Sequence, residues 1–227
     1  MLTAVTGINW GDEGKGRVID LLAEQADIVV RYQGGNNAGH TVVTDQGKFV
    51  LNLLPSGILH PDVVCVLGDG MVVDLEHLSN EISQIQAKGI TVNPEHLKLS
   101  KRATISMPWH KIQDELEENR LAKTGSAFGS TRRGIAYAYS DKYRKKTIRL
   151  GDLLHLNEEN IKSRLKTMLD AKIWNLQAAI IRNLCPTLHF YPGVKSRLYS
   201  LLHILPILAI ISTPHLPRVK KSCWKLS

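Results

Sequence analysis

A chain of 227 residues with 43% hydrophobic and 22% charged residues is long enough to bury a core. Its three cysteines exclude a disulfide framework and, with no signal peptide, predict a reducing, cytoplasmic setting. The net charge of +8 suggests a nucleic-acid or membrane partner, yet residues 171–227 show no basic pattern interleaved with aromatics, and the apolar stretch 201–211 falls short of the roughly 20 residues that span a bilayer, so neither is expected.

In chain order, the apolar run 2–6 reads as a first strand. It leads into Gly7-Ile8-Asn9-Trp10-Gly11-Asp12-Glu13-Gly14-Lys15-Gly16-Arg17 and a helix expected over 14–25. A strand, a Gly-rich loop and a helix N-terminus form a phosphate cradle: backbone N–H groups face the anion and Lys15 adds a point charge. The loop departs from the P-loop pattern. Gly16 replaces the hydroxyl residue after Gly14-Lys15, and Asn9 stands where the first glycine belongs. Asp12, a carboxylate in an anion cradle, suits taking a proton or holding a metal. Trp10 borders the loop and either packs beneath it or lines a purine site.

A strand over 27–32 precedes Gln33-Gly34-Gly35-Asn36-Asn37-Ala38-Gly39-His40-Thr41. Such a loop lies at the ligand-binding end of an α/β sheet, and His40 there serves as acid or hydrogen-bond donor, or else as a surface histidine. Asp45-Gln46-Gly47-Lys48 reads as a hairpin turn before a strand at 48–53. A strand at 63–67 carries Cys65 as a buried thiol. A helix over 74–88 takes Asp74 as N-cap and Gly89 as its stop. A helix over 108–121 has Pro108 in its first turn and Trp109 for packing. In the loop 124–134, Thr124, Ser126, Ser130 and Thr131 supply hydroxyls, and Gly125, Gly129 and Gly134 permit tight backbone. With Arg132 and Arg133 as cations they suit a phosphate monoester. A last helix is expected over 158–169. Alternating strand and helix patterns predict an α/β fold: a largely parallel sheet flanked by helices, with the P-loop-like loop after the first strand.

The motifs "WGDEGKGR", "RYQGGNNAGHT", "PSGILH" and "FGSTRRGIAYAYSDK" occur in this order, and over residues 1–170 the chain resembles adenylosuccinate synthetase. The resemblance implies a ligase of purine biosynthesis that joins IMP and L-aspartate, driven by GTP with Mg²⁺, through a 6-phosphoryl-IMP intermediate. It implies Asp12 as general base, with His40 and Lys15 as the other catalytic groups. It implies GTP contacts from Gly11, Asp12, Glu13, Gly14, Lys15, Gly16, Arg17, Gly39, His40 and Thr41. IMP contacts would come from Asp12, Glu13, Gly14, Lys15, Asn37, Ala38, Gly39, His40, Thr131 and Lys145, and metal ligands from Asp12 and Gly39. A homodimer is implied, with a basic residue near Lys145 acting in trans. The sequence offers Lys145 at the aligned position and Arg144 one residue away.

Residues 171–227 differ in kind. They hold no Asp or Glu, eight of the 29 Lys and Arg, five of the nine prolines and one of the 17 glycines, so residues 1–170 are neutral. Nothing in them resembles the later half of the family, which binds aspartate and guanine. The segment reads as an out-of-frame tail on a truncated α/β domain. A genuine tail that binds an acidic partner is the alternative. Little or no synthetase turnover is therefore expected. Two other functions stay open: phosphoryl transfer to another acceptor, and a non-catalytic subunit that dimerises with a full-length copy.

Overall fold

The computed structural model describes residues 1–8, 14–44, 47–155 and 157–182. The sequence-based readings for Asn9, Trp10, Gly11, Asp12, Glu13, the turn at 45–46 and most of the segment 171–227 lie outside the described residues.

The organising strand is β4 (Val64–Val73), ten residues long. Strand β1 (Ile28–Gly34) runs parallel to it, Ile28 opposite Val64 and Arg31 opposite Leu67. The other edge of β4 is shared by two short parallel strands: β5 (Leu97–Leu99) at Cys65–Leu67 and β6 (Thr104–Ile105) at Val72 and Val73. Parallel strands covered on both faces read as apolar runs, as 63–67 and 71–73 do. Between them Gly68-Asp69-Gly70 lets β1 and β4 slip register between Arg31 and Gln33. A Cβ at Gly70 would run into the Tyr32 carbonyl. Apart from this sheet, β2 (His40–Thr44) and β3 (Gly47–Leu51) form an antiparallel ribbon. Thr44 faces Gly47 across a two-residue connection, the length that the hairpin pattern predicts. The ribbon turns Val42, Phe49 and Leu51 into the core.

Helices α1 (Lys15–Ala23), α2 (Leu75–Gln86), α3 (Pro108–Ala122), α4 (Ile135–Tyr143), α5 (Asp152–His155) and α6 (Glu158–Arg182) complete the unit. In α2, Leu75, Leu78, Ile82 and Ile85 recur at helical spacing and are buried, each contributing about 1.5–3 kcal/mol of gross apolar stabilisation. Asp74 caps α2 by accepting from the His77 N–H at 3.1 Å. Cys65 is fully buried, and burial pushes its thiol up to about 12. Trp109 is buried too, as its packing role requires. No helix among the described residues is long and apolar enough to cross a membrane.

The expected strand at 2–6 is not formed. Residues 1–7 carry no secondary structure, and Leu2 is 88% exposed. The run joins neither the open outer edge of β1 nor that of β5, and its backbone groups are left to water. The first strand therefore follows α1 instead of preceding it. Strands β5 and β6 are too short to carry a sequence period. Helix α6 continues past its expected end at 169, through the composition break at 171. Val18, Leu21 and Leu22 of α1 and Val30 and Tyr32 of β1 remain exposed.

Candidate functional site

Gly14 adopts φ 75° and ψ 22°, a left-handed turn that suits a residue without Cβ, and its carbonyl accepts from Arg17 and Val18 to start α1. The positive end of the helix dipole thus lies at Lys15 and Gly16. Gly16 packs directly on the first residue of β2: a Cβ placed on it would stand 2.6 Å from His40 Cβ and 2.7 Å from Cγ. The start of α1 and the start of β2, separate in sequence, converge here.

A third segment locks the pair. A 3₁₀ turn at Ser56–Leu59, inside "PSGILH", buries Ser56. Its Oγ lies 3.2 Å from the Gly16 carbonyl and 3.0 Å from His40 Nε2. Burial lowers the pKa of His40, and the Arg31 guanidinium lowers it further, against a smaller opposing pull from Asp20.

The loop 34–39 is braced from below. Arg31 donates to the Gly35 carbonyl at 2.8 Å and to the Asn52 carbonyl. Buried Glu81 accepts from the backbone N–H groups of Asn52, Leu53 and Leu54 at 2.7, 2.9 and 3.2 Å. Asn36 is buried and donates to Asp74 at 3.1 Å, while Lys111 pairs with the same carboxylate oxygen at 2.6 Å. Gly39 is exposed, but a Cβ there would meet Asn52 Nδ2 at 2.6 Å. Tyr139 of α4 accepts from the Gly34 N–H at 2.7 Å and donates to the Gly70 carbonyl at 2.9 Å, tying α4 to the ends of β1 and β4.

The loop before α4 is ordered by two carboxylates on one face of α3. Asp114 accepts from Ser130 Oγ at 2.6 Å and from the Gly134 N–H at 2.8 Å. Glu118 accepts from the N–H groups of Gly129 and Ser130 at 2.6 and 3.2 Å. The Ser130 hydroxyl, expected to face a phosphate, is thus committed to Asp114, because a hydroxyl has one proton to donate. Thr131, Arg132 and Arg133 are exposed. Gly134 takes φ 74° against the backbone of His110, where a Cβ would clash.

Of the other expected contacts, Lys15, Arg17, Asn37, Ala38 and Thr41 are exposed around the Gly16–His40 junction, in α1, its facing loop and β2. Thr131 and Lys145 flank opposite ends of α4, a nine-residue helix about 13 Å long. Within one protomer, Lys145 therefore stands at the far end of α4 from the loop. Among the described residues no three His, Cys, Asp or Glu cluster to hold a metal. Gly39, one expected ligand, is exposed, and Asp12, the other, lies outside the described residues; a carboxylate and a backbone carbonyl are oxygen donors of the kind a hard cation such as Mg²⁺ prefers.

Behind the site, His110 accepts the Met107 N–H on Nδ1 at 3.0 Å and donates from Nε2 to Asp141 at 3.0 Å. Lys172 of α6 meets the other Asp141 oxygen at 2.8 Å. Burial lowers the His110 pKa despite Asp141. Burial alone would raise Asp141, but the hydrogen bonds from His110 and Lys172 prevail and hold it below the usual carboxylate range.

Sequence reasoning did not single out Ser56, Arg31, Glu81, Asp114 or Tyr139. Ser56 stood within a recognised motif. The i, i+4 pair Asp114 and Glu118 reads as a solvated helix face, and only its burial shows otherwise.

A family model for adenylosuccinate synthetase matches residues 4–195. The adenylosuccinate synthetase of Caldanaerobacter subterraneus subsp. tengcongensis is 47% identical over 171 residues, covering 75% of this chain and 39% of that protein. Adenylosuccinate synthetase 2 of Pseudoalteromonas translucida is 50% identical over 175 residues, covering 77% and 40%. The fully ligated adenylosuccinate synthetase of Plasmodium falciparum superposes with a TM-score of 0.73 at 35% identity, over 90% of this chain and 45% of that one. The chain spans about 40% of the length of the curated relatives it matches.

Proposed function

The chain belongs to the adenylosuccinate synthetase family, and from that premise we propose that it carries the phosphoryl-transfer part of a site that joins IMP and L-aspartate with GTP. The observation that carries this reading is the packing of Gly16, at the start of α1, against His40. A helix N-terminus that receives phosphate and an imidazole that can stabilise a developing oxyanion meet at one point.

In this reading Asp12 removes the N1 proton of IMP, and O6 then attacks the γ-phosphoryl group of GTP. Lys15 and the backbone N–H groups of 11–17 hold phosphate. His40 hydrogen-bonds the oxygen onto which charge moves. Asn37 and Thr131 contact IMP. Aspartate finally displaces phosphate from the 6-phosphoryl intermediate. Asp12 and the Gly39 carbonyl would hold Mg²⁺, which when bound neutralises phosphate charge. Such catalysis is mainly positioning and charge stabilisation. In this reading the protein works as a cytoplasmic homodimer, with a basic residue near Lys145 of one protomer reaching the site of the other.

Residues 171–227 are read as a tail foreign to the family's aspartate- and guanine-binding half, although the family match runs on to residue 195, and on that reading turnover from this chain is impaired. IMP with Mg²⁺ and GTP should raise the melting temperature, while phosphate release with added aspartate stays far below that of a full-length relative. Failure of IMP to stabilise the fold would favour a different phosphoryl acceptor. Normal turnover would overturn the impairment. A second reading is a non-catalytic partner that dimerises with a full-length copy. Co-purification with such a copy tests it.

A further inference from the structure

Ser56 has no role in the reading above, yet it is 1% exposed and touches both halves of the site. Its hydroxyl has one proton and two neighbours, the Gly16 carbonyl at 3.2 Å and His40 Nε2 at 3.0 Å. The carbonyl has no proton to give. If the hydroxyl proton turned to His40, Oγ and the Gly16 oxygen would face each other as two lone pairs. With the proton on the Gly16 side, Oγ accepts from a protonated Nε2, and every contact is attractive.

We propose that Ser56 is a positioning residue for His40: it fixes the imidazole as the Nε2–H tautomer against α1, so that Nδ1 is the nitrogen presented to the ligand. The proposal rests on the reading of His40 as the group that stabilises the phosphoryl-transfer oxyanion. It adds which ring nitrogen acts and what holds the ring.

The surroundings suit this role. Pro55 sets an extended residue before the 3₁₀ turn, and Ser56, Gly57 and Ile58 are all buried, so the hydroxyl sits on a rigid element. Gly57 is part of that rigidity, since a Cβ there would meet Val29 Cγ2 at 2.9 Å. Gly16, with no side chain, lets the ring approach α1 closely enough for one hydroxyl to bridge ring and helix. Among the described residues, the charged groups that act on the ring are Arg31 from β1 and Asp20 from α1. His60, at the end of the 3₁₀ turn, meets Asp20 at 3.6 Å. None of these supplies a hydrogen bond to His40 Nε2, so the tautomer depends on Ser56.

The test uses the full chain with ¹⁵N-labelled histidine, ligand-free at a pH where the imidazoles are neutral. His40 is assigned by its loss in His40→Gln. The wild-type ring should show Nε2 protonated and Nδ1 bare. Ser56→Ala should lower the Nε2–H to Nδ1–H ratio about fivefold, the effect of losing one net hydrogen bond. Ser56→Cys, with a weak acceptor of similar shape, should lie between and serves if the alanine variant does not fold. A wild-type ring protonated on Nδ1, or a ratio unchanged in the folded variants, would overturn the proposal. Because no nucleotide is present, either result is independent of whether IMP proves to be the substrate.

Discussion

Replacing Asp114 by Asn tests whether α3 orders the loop before α4. Asp114 is buried and gives one oxygen to Ser130 Oγ at 2.6 Å and the other to the Gly134 N–H at 2.8 Å. Hydrogen bonds to a carboxylate contribute roughly 1.5–3 kcal/mol each. Asparagine turned with its oxygen to the Gly134 N–H presents its NH₂ to Ser130 Oγ, which can accept. Both bonds then persist without the charge, at a cost of about 2 kcal/mol. For a chain of this size that lowers the melting temperature by roughly 6 °C. Glu118 still holds the N–H groups of Gly129 and Ser130, so the anchor at Gly134 weakens without the loop coming away from α3. Thermal unfolding by circular dichroism should show the drop as one cooperative transition, and stabilisation by IMP should shrink because Thr131 lies in the weakened stretch. A variant that melts within 2 °C of the parent, with its IMP response intact, would refute the idea that this carboxylate shapes the loop.

Gly16→Ala should lower the melting temperature, although Ala is favoured over Gly in a helix by up to about 1 kcal/mol. Its Cβ would stand 2.6 Å from His40 Cβ, an atom held by the β2 backbone, so α1 and β2 must move apart, visible in the His40 imidazole shifts and in a weaker nucleotide response. A variant as stable as the parent with an unmoved ring would contradict this. Stability should also fall with acid in two steps. The pKa values of His110 and His40 are both lowered by burial, so the unfolded chain binds protons that the folded one resists once the pH drops below about 6.5, and the loss by pH 5.5 is at most about 1.4 kcal/mol for each. The depressed Asp141 contributes fully above the ordinary carboxylate pKa and loses its share only as the pH falls below it. Urea midpoints that stay flat from pH 7.5 to 5.5 would show that neither histidine titrates with unfolding.

What the sequence made legible was the family, because four motifs in a fixed order leave few alternatives. The alternation of helix and strand was legible as well. What stayed hidden depended on partners distant in the chain. The run 2–6 has a strand's composition and joins no strand. Asp114 and Glu118 look like solvated charges until Gly134 and Ser130 fold onto them. His40 and Gly16 are 24 positions apart, and the serine that joins them comes 16 positions after the histidine.

The ion pair between Lys172 and Asp141 decides where the chain can be shortened. A version that stops at residue 170, where the acidic residues end, would remove the ammonium group and leave Asp141, 1% exposed, with His110 as its one remaining side-chain partner. Breaking a buried pair in this way costs about 3–5 kcal/mol, a large part of what holds a domain of this size together. Any trimmed form made for biophysical work must keep Lys172. The change in composition after 170 marks a boundary in amino-acid usage, and the folded unit crosses it.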